Sequence, residues 1–228
     1  MRQKLPPDLF LIRIGKVCDF GNGLFQRLDH DGNIAHVSRV MSMNTQSSGT
    51  VAQPETILAF WREAGYEKWF KRDDAFDAAI RDKFMPTYEA AAAGQLSSWE
   101  ATADGALALC LVLDQFPRNM FRSDARTYAA DGQARAVANR ALKRGYDQDV
   151  PDELRGFLFL PFMHSEELVD QERCVQLYRE AESTDLKYAE QHRDIIRRFG
   201  RFPHRNAILG RDTTPEEQKF LDDGGFKG

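Results

Sequence analysis

The sequence predicts an all-α fold in which antiparallel helix pairs pack into a curved bundle or a short superhelix. Three observations lead to this prediction. From Pro54 onward, apolar residues recur every three or four positions, as on the buried face of an α-helix. Glycines, prolines and capping residues divide this pattern into about eight segments with short connections, and no alternating strand pattern follows residue 52. With 228 residues, 42% of them hydrophobic, the chain can bury a sizeable core.

The first part of the chain, residues 1–52, lacks this helical pattern. It favours short strands and turns, and it ends in the polar, aperiodic stretch MSMNTQSSGTVAQ. We therefore predict a poorly ordered extension at residues 1–52 and a single helical domain at residues 53–228. An alternative translation start at Met41 or Met43 stays open.

The first two helical segments have clear boundaries. Pro54 lies in the first turn of PETILAFWREAG, and Gly65 is expected to end that helix. The next segment runs to Gly94. Its apolar residues recur every four positions and predict one buried stripe: Phe76, Ile80, Phe84 and Tyr88.

The middle of the chain predicts two further helices. Ser97 with Glu100 has the spacing of a capping box and predicts a helix start. The apolar stretch GALALCLVLDQF predicts a helix that Pro117 ends, because proline lacks the N–H that an interior position needs. The segment ARAVANRALKRG predicts a helix that ends at Gly145.

The last third continues the helical pattern. ELRGFLFLPFMHSEE is almost wholly apolar, whereas ERCVQLYREAE and LKYAEQHRDIIRRFG are amphipathic. Thr214 and Glu217, with Pro215 between them, predict a capping box that starts the final helix.

Charge and cysteine content restrict the function classes. The formal net charge of -4 makes nucleic-acid binding unlikely, because nucleic-acid-binding domains are usually basic. Cys18, Cys110 and Cys174 are far apart and fit free thiols in a reducing compartment. The apolar run near the N-terminus is broken by Arg13, which argues against an export signal. No stretch reaches the length of a membrane helix, so we expect a cytoplasmic protein without a membrane partner.

Two similar segments, DQFPRNMFR and GRFPHRNAILGR, set a Phe-Pro step beside Arg-Asn. The second lies in a stretch, residues 193–211, whose six arginines have only Asp194 and Asp212 as local carboxylates. Guanidinium groups recognise phosphate or carboxylate in bidentate fashion, so clustered arginines indicate an anion pocket. The alternative is that these arginines only connect helix ends through ion pairs.

The histidines admit several interpretations. His192 is in step with the apolar residues of its helix and is predicted to be buried. His164 ends an apolar segment, and His204 lies in a loop beside Arg205. Convergence of the three histidines with Glu166 would suit a divalent metal, but no HExxH or comparable spacing supports it. The sequence therefore specifies no cofactor.

These observations lead to one functional hypothesis and one alternative. We predict a pocket, formed by the two Phe-Pro turns and the His-Ser-Glu turn, that binds a small anionic ligand; whether it catalyses a reaction stays open. The alternative is a helical scaffold that binds peptides for protein–protein interaction. The oligomeric state is not predicted. The residues expected to bind the ligand are Arg118, Asn119, His164, Glu166, Arg201, His204, Arg205 and Asn206.

Several motifs resemble a bacterial family, domain-of-unknown-function family 924, between about Ile57 and Leu221. They are ILAFW, KWF, LDQFPRNMFR, the His-Ser-Glu step, DLKYAEQHRDIIRRFGRFPHRNAILGR and TPEEQKFL. The resemblance implies a helical fold of the tetratricopeptide-like class and implies no particular activity. Residues 1–52 lie outside it.

Overall fold

The computed structural model describes residues 49–226, so nearly all of the predicted extension at residues 1–52 lies outside the described residues. Within the described range the protein is helical and contains no strand, which confirms the all-α prediction. The tetratricopeptide-like assignment stays a prediction. The α-helices, numbered α1 to α10 in chain order, are Pro54–Phe70, Asp74–Ala92, Ala103–Cys110, Phe116–Met120, Asp131–Lys143, Asp152–Arg155, Leu160–Met163, Leu168–Glu180, Leu186–Phe199 and Pro215–Asp222. Short 3₁₀ helices lie at Ser97–Ala101, Ala125–Tyr128, Tyr146–Gln148, Gly156–Leu158 and Pro203–Arg205.

The main core is built around the fully buried side chain of Trp61 in α1. Its ring lies against those of Trp69, Phe76, Phe116 and Phe157, with centroid separations of 5.5 to 6.2 Å. These partners come from several parts of the chain, so one aromatic side chain connects the first two helices to the middle of the fold. The predicted stripe of α2 is buried in this core, which confirms the four-residue spacing.

Gly65 interrupts α1 as predicted. Its backbone angles, φ 75° and ψ 169°, are non-helical, and the short stretch to Phe70 continues in a new direction. Asp73 then caps α2, because its carboxylate accepts hydrogen bonds from the amides of Ala75 and Phe76, both at 3.0 Å.

The helix that begins at Ala103 does not end at Pro117, so that prediction is wrong. Residues Leu111–Gln115 form a π-helical segment in which the amide of Phe116 bonds to the carbonyl of Leu111. The chain then continues as α4, with Pro117 in its first turn. A proline in a uniform α-helix would remove one hydrogen bond and clash with the preceding turn. The wider π-turn directly before Pro117 allows the helix to continue to Met120.

Two other boundary predictions are also wrong. Ser97 makes no capping hydrogen bond; Thr102 caps α3 instead, by accepting from the amide of Gly105 at 3.1 Å. Glu100 is engaged by the guanidinium of Arg140 and therefore does not serve a capping box. The apolar segment at residues 153–167 is not one helix but α6, a 3₁₀ turn and α7, with Pro161 in the first turn of α7.

The C-terminal part of the fold follows the predicted pattern. Helix α9 packs against α8 and ends at Gly200, whose φ of 70° is left-handed. His192 lies on the buried face of α9, as predicted. The capping box of α10 is present, with Thr214 and Glu217 each bonded to the other's backbone.

Candidate functional site

Three turns of the chain meet beside the main core. The carboxylate of Asp114, in the π-helical segment directly before α4, lies 2.8 Å from Nδ1 of His164, which follows α7. A guanidinium nitrogen of Arg205, which follows α9, donates to the carbonyl of His164 at 3.0 Å. The amide of Phe202 donates to Glu166 at 2.9 Å. Direct hydrogen bonds therefore join the turns at residues 114–119, 164–166 and 201–206.

Asp114 is the most deeply buried member of this group, with 1% of its side chain exposed. Its carboxylate accepts a hydrogen bond from Nε2 of Gln115 at 2.6 Å, contacts Nδ1 of His164, and forms an ion pair with the guanidinium of Arg118 at 3.3 Å. Burial raises the pKa of Asp114, but Arg118 and His164 oppose it more strongly and hold that pKa well below its ordinary value. Asp114 is therefore an ionised acceptor.

Arg118 connects two carboxylates. It forms a bidentate ion pair with Asp131, with N–O distances of 2.9 and 3.0 Å, and it also donates to the backbone carbonyl of Asp114 at 2.6 Å. Asp131 lies in the first turn of α5. Because two parallel N–H···O bonds fix both planes, Arg118 is held rigidly.

Arg205 is compensated much less completely. It is 6% exposed, and its nearest carboxylate oxygen, on Asp131, is 3.8 Å away. Its Nε is buried and has no hydrogen-bond partner in the described part of the chain. The guanidinium stacks on the rings of Tyr128 and Phe202, each 4.5 Å from centroid to Cζ. Burial, followed by the nearby charge of Arg118, lowers the pKa of Arg205, so its positive charge is under-compensated.

We refer to Asp114, Arg118, Asp131, His164 and Arg205 as the Arg–His cluster. Within it, burial and then Arg118 lower the pKa of His164, so that the imidazole is neutral at neutral pH. Its Nδ1 faces Asp114. Its Nε2 has no hydrogen-bond partner among residues 49–226. This nitrogen is not fully buried, whereas Nδ1 of His204 is.

The remaining predicted site residues lie around the cluster, with partners of their own. Glu166 forms a salt bridge with Arg211 at 2.9 Å. Burial raises the pKa of Glu166, but Arg211 and the amide of Phe202 together lower it below its ordinary value. Arg201 is bidentate with Glu217, at 2.6 and 2.8 Å.

Asn206 and His204 have different surroundings. The amide of Asn206 donates to the same Glu217 at 3.2 Å. The His204 ring packs 5.1 Å from that of Phe226 and 5.6 Å from that of Phe202. Burial, and then the charge of Arg205, lower the pKa of His204 to about 3.

Asn119, the residue after Arg118 in α4, contacts α2 and not the cluster. Its side-chain amide donates to the buried Asp77 of α2 at 2.7 Å, and the guanidinium of Arg122 engages the same carboxylate. Arg81 donates to the carbonyl of Met120 at 2.7 Å. These residues line a shallow depression of about 270 Å³ that is separate from the Arg–His cluster.

Similarity to other proteins places this chain in a family. Residues 57–225 match the family described as bacterial protein of unknown function, DUF924. The chain belongs to this family. A solved structure, that of the protein of unknown function ATU0120 from Agrobacterium tumefaciens, is 48% identical to it, with a TM-score of 0.73. The alignment covers 75% of this chain and 97% of that one. No curated protein matches this chain.

The expected surplus of positive charge at residues 193–211 is largely neutralised in this DUF924 member. Arg197 pairs with Glu172 of α8, and Arg198 pairs with Glu216 of α10. Arg201 and Arg211 have the carboxylate partners already described. The helices and turns thus bring together charges that are distant in sequence, and Arg205 is left with the weakest carboxylate contact among these arginines.

Asp131 of the cluster, and Tyr128, whose ring stacks on Arg205, have no signal in the sequence that connects them to the site. Asp114 does have one: it is a single carboxylate within the apolar stretch GALALCLVLDQF, four residues before Arg118. Among the described residues, no three His, Cys, Asp or Glu side chains are arranged to hold a metal ion. In the same part of the chain, no helix is long and apolar enough to span a membrane.

Proposed function

We propose that this protein binds a compact anionic ligand at the Arg–His cluster. The observation that carries the proposal is the state of Arg205: within residues 49–226, this buried guanidinium has an unpartnered Nε and no carboxylate closer than 3.8 Å. Buried polar groups normally have partners, and a buried charge without a close counter-ion is costly. An anion beside Arg205 would supply the missing counter-charge.

His164 gives the ligand a second point of contact. Its Nε2 is open while its Nδ1 is held by Asp114, so the imidazole is oriented before any ligand arrives. We propose that Arg118, His164 and Arg205 contact the ligand. Glu166 and Arg201, which are paired with Arg211 and Glu217, hold the loop that carries Arg205 and act as supporting residues.

The same reasoning assigns supporting roles to the other predicted residues. Asn206 shares Glu217 with Arg201, His204 packs among aromatic rings, and Asn119 is committed to Asp77. Pre-organisation by such partners reduces the freedom that a binding loop loses when a ligand binds.

One observation favours the peptide-binding alternative. Tyr66 and Phe70, near the end of α1, are 56% and 53% exposed, and their rings are 5.0 Å apart. Exposed aromatic pairs are common where proteins bind partners. This pair lies in α1, outside the three turns, so a peptide site there would be independent of the Arg–His cluster.

The test compares two arginines of one loop. Arg205→Met leaves Asp131 paired with Arg118, so we expect a stability loss of only about 1 to 2 kcal/mol. Phosphate, measured by isothermal titration calorimetry at constant ionic strength, should bind this variant about 10- to 150-fold more weakly than the wild type, the equivalent of one charge-assisted hydrogen bond.

Arg201→Met is the matched control. It leaves the buried carboxylate of Glu217 without its cation and loosens the loop that carries Arg205, so we expect a larger stability loss than in Arg205→Met but a clearly smaller loss of phosphate affinity. Unchanged phosphate binding by Arg205→Met, or no phosphate binding by the wild type, would contradict the proposed function.

A further inference from the structure

The geometry of the Arg–His cluster also restricts which anions can bind there. We infer, on the basis of the proposed function, that its ligand is an oxyanion that bears an O–H group and donates this hydrogen to Nε2 of His164. Hydrogen phosphate has such a group, whereas sulfate has a similar shape and size but no proton at neutral pH. The cluster would therefore select phosphate over sulfate.

The first step of the argument concerns which nitrogen of His164 carries the hydrogen. Its Nδ1 lies 2.8 and 3.0 Å from the two carboxylate oxygens of Asp114. Gln115 donates a hydrogen bond to that carboxylate, and the guanidinium of Arg118 forms an ion pair with it. A carboxylate surrounded by donors is ionised and can only accept, so Nδ1 must be the protonated nitrogen.

The second step concerns Nε2. In a neutral imidazole only one nitrogen carries hydrogen, so Nε2 has a lone pair and acts as an acceptor. Asp114 is 1% exposed, and its carboxylate cannot turn away from His164 without breaking its hydrogen bonds with Gln115 and His164 and its ion pair with Arg118. The position of the acceptor is thus fixed by buried groups.

The third step compares ligands at this acceptor. An anion held by Arg205 and facing Nε2 must present either an O–H group or a bare oxygen. The O–H group completes a hydrogen bond, whereas a bare oxygen sets two acceptors against each other and leaves both unsatisfied. A tenfold or larger preference for the protonated oxyanion follows from one such hydrogen bond.

The experiment measures phosphate and sulfate affinities by isothermal titration calorimetry, at pH 7 and equal ionic strength, for the full-length protein and for His164→Asn. An Asn side-chain amide can replace Nδ1 as a donor to Asp114, but it has no atom in the place of Nε2. We expect the wild type to bind phosphate at least tenfold more tightly than sulfate, and His164→Asn to bind the two anions within about threefold of each other.

The outcomes separate this inference from the proposed function. Equal affinities of the wild type for phosphate and sulfate would overturn the inference and leave anion binding intact. Binding of neither anion would overturn both. A preference for phosphate that persists in His164→Asn would also overturn the inference.

A second measurement covers the case in which His164→Asn does not fold. In ¹⁵N-labelled wild-type protein, the Nε2 resonance of His164 should be that of an unprotonated nitrogen and should shift when phosphate is added. Sulfate should leave it nearly unchanged. A protonated Nε2 in the free protein would overturn the inference.

Discussion

Glu217 is a carboxylate on which the geometry of the loop after α9 depends, and its replacement by glutamine gives a quantitative test of the structure. It is 2% exposed and accepts hydrogen bonds from Arg201, from Asn206 and from the amide of Thr214. Glu217→Gln keeps the shape of the side chain but removes the charge that Arg201 faces. We expect this variant to fold and to be markedly less stable at neutral pH.

The magnitude follows from the pKa of Glu217. The hydrogen bonds from Arg201, helped by Thr214, lower this pKa from 4.5 to about 2, against a smaller opposing effect of burial. At about 1.4 kcal/mol for each pH unit, this difference corresponds to about 3 kcal/mol of stability. Because the pKa is lowered in the folded state, this stability is fully present above about pH 4.5 and is lost as the pH falls toward 2.

The assay is urea unfolding followed by circular dichroism between pH 7 and pH 2.5. The deficit of Glu217→Gln relative to the wild type should be about 3 kcal/mol at pH 7 and should shrink below pH 4.5. Glu216→Gln is the control, because that carboxylate is 66% exposed and its pair with Arg198 should contribute at most about 1 kcal/mol. Equal losses for the two variants, or a Glu217→Gln deficit that does not change with pH, would refute the reasoning.

Two further predictions concern the thiols and the N-terminal extension. Cys110 and Cys174 are fully buried, and burial raises the pKa of both thiols, so Ellman's reagent should react with them only after unfolding; rapid labelling of native Cys18→Ser protein, in which these two thiols remain, would contradict their packing role. A protein that begins at Met43 should keep its helical circular dichroism and melt within a few degrees of the full chain, because the helical pattern begins after residue 52; a collapse of helicity would show that the extension is needed.

The features that the sequence predicts correctly are those fixed within a few residues. The stripe of α2 follows from one four-residue period, and the start of α10 follows from Thr214 and Glu217, which are three positions apart. Gly65 and Gly200 interrupt or end helices because both adopt positive φ. Each signal and its structural effect lie within one or two helical turns.

The features that the sequence does not predict depend on partners far along the chain. Arg118 forms its ion pair with Asp131, thirteen residues later, and Arg201 forms its ion pair with Glu217, sixteen residues later. Pro117 predicts the end of a helix, but the helix propensities of single residues do not show that a π-turn accommodates this proline. Local composition identifies arginines that could bind an anion, whereas tertiary packing determines which of them, such as Arg205, lacks a close counter-ion.

The π-turn at Leu111–Gln115 also makes the number of residues in this helix matter as much as their identity. A π-turn closes a hydrogen bond from residue i to residue i+5, so it holds one residue more than an α-turn within a single turn of the helix. Deletion of one residue from this segment would restore the i to i+4 spacing and leave Arg118 and Asn119 facing Asp131 and Asp77. It would also place Pro117 in a uniform α-helix, where the proline ring clashes with the preceding turn. The extra residue therefore accommodates the proline without changing the direction of the polar side chains that follow it.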